Sequence, residues 1–226
     1  MTTTTTIVDL TMMIEEGMQT FLSHWHPIVE ITQLGRHGIE NRESRKLVLG
    51  THSGTHCDAP RHFIPDGETI EEIGLDQLVG PATLCDFSAA ERFHEIDVDE
   101  LKHEIGDRPV DRVILRFDWD SALGTSYYYS DHAYLSAEAC RWLVERGCRL
   151  LAMDTPQPDD PRNGRSSEND SPNHKILLGN GVVLVEYLVN LRSLSASEVY
   201  LVAAPLRIRE GDGAPARCFA IEGLLT

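Results

Sequence analysis

A chain of 226 residues, 41% of them hydrophobic, suffices for one large domain with a substantial core. Its formal net charge of −16 opposes binding to a nucleic-acid backbone or an anionic membrane surface. No apolar run approaches the roughly 20 residues of a membrane-spanning helix, and the N-terminal Met-Thr-Thr-Thr-Thr-Thr lacks the basic and apolar regions of a signal peptide. Residues 1–6 read as a disordered tail, and residues 7–226 as a single domain. The five cysteines are odd in number, scattered, and form no C-x-x-C pair. That argues against a disulfide framework or a cysteine-held zinc, and fits a reducing cytoplasmic compartment.

In chain order, residues 7–14 read as a first strand, and Gly17 breaks the pattern. His24-Trp25-His26-Pro27 then reads as a loop whose aromatic either walls a pocket or fills the core. Residues 28–32 and 44–50 are short β-type runs. Residues 69–78 read as a short helix, 82–87 as a strand, and 98–105 as a helix capped by Asp97. A strand over 111–117 leads into a polar loop that holds Tyr127-Tyr128-Tyr129. Residues 136–147 have a Ser cap, helical apolar spacing and a Gly stop. A buried-type strand follows and ends at Asp154. This strand–helix–strand order marks an α/β fold. Residues 157–173 form the longest polar stretch, as in a lid or long loop. It ends at His174, before an apolar run over 176–188 in which Glu186 is embedded. A carboxylate there is costly to bury unless a cation or metal meets it. Two further strands, at 199–208 and after the turn at 211, close the chain.

The densest chemistry is His52-Ser-Gly-Thr-His56-Cys-Asp58-Ala-Pro-Arg-His62-Phe, three imidazoles and a carboxylate within eleven residues. Gly54 and Pro60 oppose a helix. In an extended segment the even-numbered His52, His56, Asp58 and His62 share one face, with Cys57 turned away as a packed residue. Imidazole nitrogen and carboxylate oxygen are ligands for zinc and its first-row neighbours. Such clusters mark metal or catalytic sites.

The pattern His52-x-Gly-Thr-His56-x-Asp58-x-Pro-x-His62-Phe resembles the signature of the cyclase family of metal-dependent hydrolases. That family includes kynurenine formamidases, isatin hydrolases and related cyclic-amide hydrolases. Asp154-Thr-Pro, the twelve-residue step from His174 to Glu186, Glu186-x-Leu-x-Asn-Leu and Gly211-Asp-Gly-x-Pro-x-Arg match as well. The resemblance implies one α/β domain with a β-barrel-like core and flanking helices, assembled as a homodimer or a higher oligomer. It implies a binuclear zinc site, with manganese as the alternative metal. His52 and His56 would bind one ion, Asp58 both, His174 the second, and Glu186 one or both. His62 would be the catalytic acid/base.

The expected reaction is hydrolysis of a small-molecule C–N amide bond, in an aryl formamide such as N-formylkynurenine or in a lactam, isatin or cyclic imide. Hydroxide would form from metal-bound water, whose pKa falls to about 7. The chain departs from kynurenine formamidases at Trp25, which stands where they carry an aromatic-Pro-Gly motif and would contact the substrate's ring. It departs from isatin hydrolases at Glu186, where they place an amide. The rival reading is a non-catalytic metal- or small-molecule-binding module. Structural zinc sites are closed by four protein ligands, whereas a free histidine beside an open position is the catalytic pattern.

Overall fold

Short runs rich in Val, Ile and Leu set the strands. The structure is a computed structural model that describes residues 5–165 and 168–224. Strands β1 (Thr6–Asp9), β2 (Glu30–Gly35), β3 (Ser44–Val48) and β4 (His56–Asp58) precede helix α1 (Leu75–Leu78). Then come β5 (Val79–Asp86), β6 (Glu95–Ile96), α2 (Val98–Ile105), β7 (Arg112–Arg116), β8 (Tyr134–Leu135) and α3 (Ala137–Glu145). The chain ends with β9 (Leu150–Met153), α4 (Pro172–Gly179), β10 (Val183–Glu186), β11 (Glu198–Pro205) and β12 (Gly213–Glu222).

Seven of these strands close a barrel in the order β12-β11-β5-β7-β9-β10-β4 and back to β12, with β1 added alongside β12. Strands β5, β7, β9 and β10 run parallel, as helical crossovers require, and α2, α3 and α4 make those crossovers. The barrel closes because β12 is long. It pairs with β11 along one edge and with β4, then β1, along the other. Strand β9 is buried on both faces. Leu150 and Ala152 join the core with Val185, Leu201 and Ala214, while Leu151 and Met153 pack under the helices with Leu101, Leu143 and Leu177. Each such fully buried Leu contributes about 1.5–3 kcal/mol.

Helix α2 begins with a reciprocal cap: Asp97 accepts from the Asp99 and Glu100 amides, and the Glu100 carboxylate accepts from the Asp97 amide. Helix α3 is capped by Ser136 and stops before Gly147, at φ +84°. Strands β2 and β3 form a separate antiparallel hairpin.

Several expectations are corrected. Thr6 is not in a tail but pairs with Glu222; of that tail, residues 1–4 lie outside the described residues. The first strand ends at Asp9, and Thr11 makes only an isolated bridge to Leu188. The helix expected over 69–78 shrinks to one turn, because Gly74 is extended (φ −68°, ψ 139°) and the Glu72 amide before it makes only a three-residue turn to the Thr69 carbonyl. The polar stretch 157–173 ends early, since Pro172 opens α4. The apolar run 176–188 is split into helix and strand by a turn at Asn180-Gly181, with Gly181 at φ +76°. Apolar continuity alone does not separate a buried helix from a buried strand. Tyr128 is not part of a polar surface: it is 1% exposed and packs against Trp119 and Tyr187.

Candidate metal centre and active site

The even-residue face exists only over His56–Asp58, which is β4. His52 sits in a turn before it, and His62 on a 3₁₀ turn, Pro60–His62, after it. Convergence is therefore achieved by folding back on both sides of a short strand. The partners come from β10, which lies antiparallel to β4 and sets Glu186 opposite His56, and from α4, which carries His174.

Asp58 is 1% exposed and central. Its Oδ1 lies 2.6 Å from His52 Nδ1 and 3.1 Å from His56 Nε2, and its Oδ2 lies 3.6 Å from His174 Nε2. Glu186 reaches the same two rings, with Oε2 3.5 Å from His56 Nε2 and Oε1 3.3 Å from His174 Nε2. His52, His56, Asp58, His174 and Glu186 are thus all brought together, as two ligand groups that share Asp58.

Each imidazole is tied at its other nitrogen. His56 Nδ1 donates to the Gly54 carbonyl at 2.8 Å, His174 Nδ1 to Asp159 Oδ2 at 2.5 Å, and His52 Nε2 to Asp212 Oδ2 at 2.8 Å. That fixes the ring angle and leaves one nitrogen of each ring aimed at the carboxylates, as in metal-binding histidines. Asp159 also accepts from the Asn173 and His174 amides, so it caps α4 while it holds the His174 ring.

The donor set fits a divalent ion. The buried Glu186 Oε1 makes no hydrogen bond of acceptable geometry despite its closeness to His174. A buried carboxylate oxygen left so is costly without a cation. In the metal-free protein burial pushes the Glu186 carboxyl up, and the neighbouring Asp58 charge adds to this. Burial opposes charging of His52, but Asp58 and Asp212 override it and raise the imidazole to about 10. His174 is likewise raised against burial by Asp159 and Glu186. These rings must lose their extra protons to bind a metal. Metal binding at pH 7 is therefore expected to release about two protons per loaded chain, and affinity to rise with pH by about tenfold per unit for each displaced proton. Calorimetric titration in buffers of different ionisation enthalpy measures this; buffer-independent heats would contradict it. Without metal, the raised His52 stabilises the fold fully below 6.5, and that contribution fades as pH climbs through about 10.

His62 stands beside these groups, its ring centroid 3.9 Å from that of His52. It lines a cavity of about 280 Å³ together with Phe21, Phe63, Tyr129 and Tyr187. Trp25 lines the same cavity and is 57% exposed, so it forms part of the wall rather than the core. His26 lines it too and, lowered to about 4 mainly by burial, is held neutral at pH 7. Asp154, from the Asp-Thr-Pro run, does not line it; it accepts from the Phe117 amide at 2.9 Å, and burial pushes it up to about 8. Sequence reasoning missed Asp159 and Asp212. Asp159 had no signal, being one of several acids in a polar loop. Asp212 stood flanked by two glycines, a sign of close backbone approach.

The family model described as putative cyclase matches residues 8–160. The chain is 31% identical over 173 residues to a kynurenine formamidase of Bacillus cytotoxicus, covering 76% of this chain and 77% of that protein. It is 32% identical over 177 residues to a kynurenine formamidase of Erythrobacter litoralis, covering 78% and 76%. Isatin hydrolase A from Labrenzia aggregata, solved bound to benzyl benzoate, superposes with a TM-score of 0.87 at 27% identity, covering 96% of this chain and 93% of that one.

Proposed function

The chain belongs to the cyclase family, and from that premise we propose that it is a metal-dependent hydrolase of small amides, with aryl formamides such as N-formylkynurenine as the favoured substrates. One observation carries the reading: two candidate ligand groups share a buried Asp58, and His62, which groups instead with His52 and the half-exposed Asp212, faces the cavity at their edge. His52 through Nδ1, His56 through Nε2 and Asp58 would hold one ion, and Asp58, His174 through Nε2 and Glu186 the other. Zinc is the proposed metal, and manganese also suits nitrogen and carboxylate donors. When bound, such an ion polarises a carbonyl and lowers the pKa of water to about 7.

The remaining chemistry belongs to the chain. Phe21, Trp25, Phe63, Tyr129 and Tyr187 offer ring faces and edges to an aryl group. At about 280 Å³ the cavity is of a size for one small molecule. His62 delivers a proton to the departing nitrogen, a step that imidazole suits near neutral pH. A formamide is favoured over isatin because Glu186 is a carboxylate and because the kynurenine formamidases match at the higher identity. Assay of metal-loaded protein on N-formylkynurenine, formanilide and isatin tests this. Formamide hydrolysis lost on chelation and faster than isatin opening is expected. The reverse order would move the substrate to cyclic amides, and no turnover of any of the three would favour a binding module.

A homodimer joined through the β2–β3 hairpin belongs to the same proposal. An isolated two-stranded hairpin is marginal in water, and this one carries Leu34 and Leu47 at 59% and 54% exposure, with Ile28 beside it at 69%. Leu47→Asp is expected to shift the sedimentation coefficient to that of a monomer; an unchanged dimer would remove the hairpin from the interface. The five cysteines are free and buried, which supports a reducing, cytoplasmic setting.

A further inference from the structure

Both glycines of the Gly211-Asp212-Gly213 corner are closed in by their surroundings. A Cβ on Gly213 would stand 2.7 Å from the Cys57 carbonyl oxygen and 2.9 Å from His52 Cε1. A Cβ on Gly211 would stand 2.8 Å from Ile70 Cγ2 and 3.1 Å from the Ile208 carbonyl oxygen. Neither glycine has a positive φ, so it is space and not backbone freedom that requires them. The corner is also clamped by hydrogen bonds. The Ile70 amide donates to the Gly211 carbonyl at 2.9 Å, and the Ala59 amide to the Asp212 carbonyl at 3.0 Å. Ala59 in turn accepts from the His62 amide at 2.9 Å. The backbone of Asp212 is thereby locked to the turn that presents His62.

The side chain completes the connection. Asp212 Oδ2 lies 2.8 Å from His52 Nε2 and 3.2 Å from His62 Nδ1. An ionised carboxylate only accepts, so both ring nitrogens donate to it. That puts the His62 proton on Nδ1 and leaves Nε2 for the cavity. Among the described residues this is the His62 ring's only hydrogen bond. Asp212 itself does not line the cavity. We propose that Asp212 is a positioning residue for His62: it fixes the ring and its Nδ1–H form, so that Nε2 can take a proton from the attacking water and pass it to the departing nitrogen. The proposal rests on the reading of His62 as the group that handles that proton.

The test uses metal-loaded full-length protein, Asp212→Asn, Asp212→Ala, His62→Ala and the double variant His62→Ala/Asp212→Ala, with ring-substituted formanilides. Both Asp212 variants are expected to keep the wild-type metal count and to lose about 10–100-fold in kcat, with KM within about twofold. The loss should be largest for anilines that are poor leaving groups and should shrink for a nitroaniline. At saturating metal in the His62→Ala background, Asp212→Ala should cost clearly less than it does alone, because only its hydrogen bond to His52 is then left to lose. An equal loss in that background, a loss uniform across leaving groups, or a fall in metal count that accounts for the lost rate would overturn the proposal. Wild-type rates in Asp212→Asn and Asp212→Ala would do so as well. If the wild type is inactive, or His62→Ala fully active, the parent reading fails instead.

Discussion

Asp58→Ala should lose both metal ions and all measurable hydrolysis, whereas His174→Ala should lose one ion. The contrast follows from which oxygen faces which ring. Asp58 Oδ1 serves His52 and His56, and its Oδ2 serves His174, so the carboxylate belongs to both ligand groups. His174 belongs to one. Asp58 is also held ionised: burial opposes this, but the His52 and His62 imidazoles bring its carboxyl well below the usual range. Removing it takes from the buried His52 and His56 rings the carboxylate that faces them, and breaking comparable buried pairs costs about 3–5 kcal/mol. Asp58→Asn keeps the volume and separates loss of ligation from loss of fold. Metal counting by mass spectrometry, beside a thermal melt, reads both variants. Two retained ions with activity in either variant would exclude Asp58 as the shared ligand.

The same residues explain how much of the site was legible in the sequence. His52, His56, Asp58 and His62 lie within eleven residues, and no long-range folding is needed to bring them near one another. Their convergence was foreseen, but through the wrong geometry: alternation along an extended segment accounts for His56 and Asp58 only. His174 and Glu186 lie more than a hundred residues away in sequence. A local pattern cannot place them, because the β10–β4 pairing and the docking of α4 do so. Only the resemblance to a family linked them to the first cluster. Asp212, at the start of the last strand, is set beside His52 by barrel closure, a property of the whole sheet. The helices α2 and α3 were clearer, since Asp97, Ser136 and Gly147 are local stop and start signals that tertiary packing did not override. The helix expected over 69–78 is instead cut short at Gly74, whose backbone is extended.

The effect expected at His62 is of a different kind, a loss of rate without a loss of metal. His62 Nδ1 faces Asp212 rather than Asp58 or Glu186, and the ring lines the cavity. His62→Ala therefore leaves both shared-Asp58 ligand groups complete. On the proposed reading, what it removes is the group that hands a proton to the departing nitrogen. An amine anion is a very poor leaving group, so collapse of the tetrahedral intermediate waits on protonation of that nitrogen. General acid–base catalysis at such a step contributes about 10²–10⁴-fold, and this is the fall in kcat expected for His62→Ala with two ions per chain retained. The remaining activity should depend more steeply on the leaving group than the wild type does, because expulsion then relies on the aniline's own acidity. Steady-state rates on a series of formanilides, with metal counts on the same samples, separate the possibilities. Full activity would remove His62 from the proton path. Loss of one ion along with the rate would make it a ligand, and the acid would then have to be sought among the other cavity-lining groups.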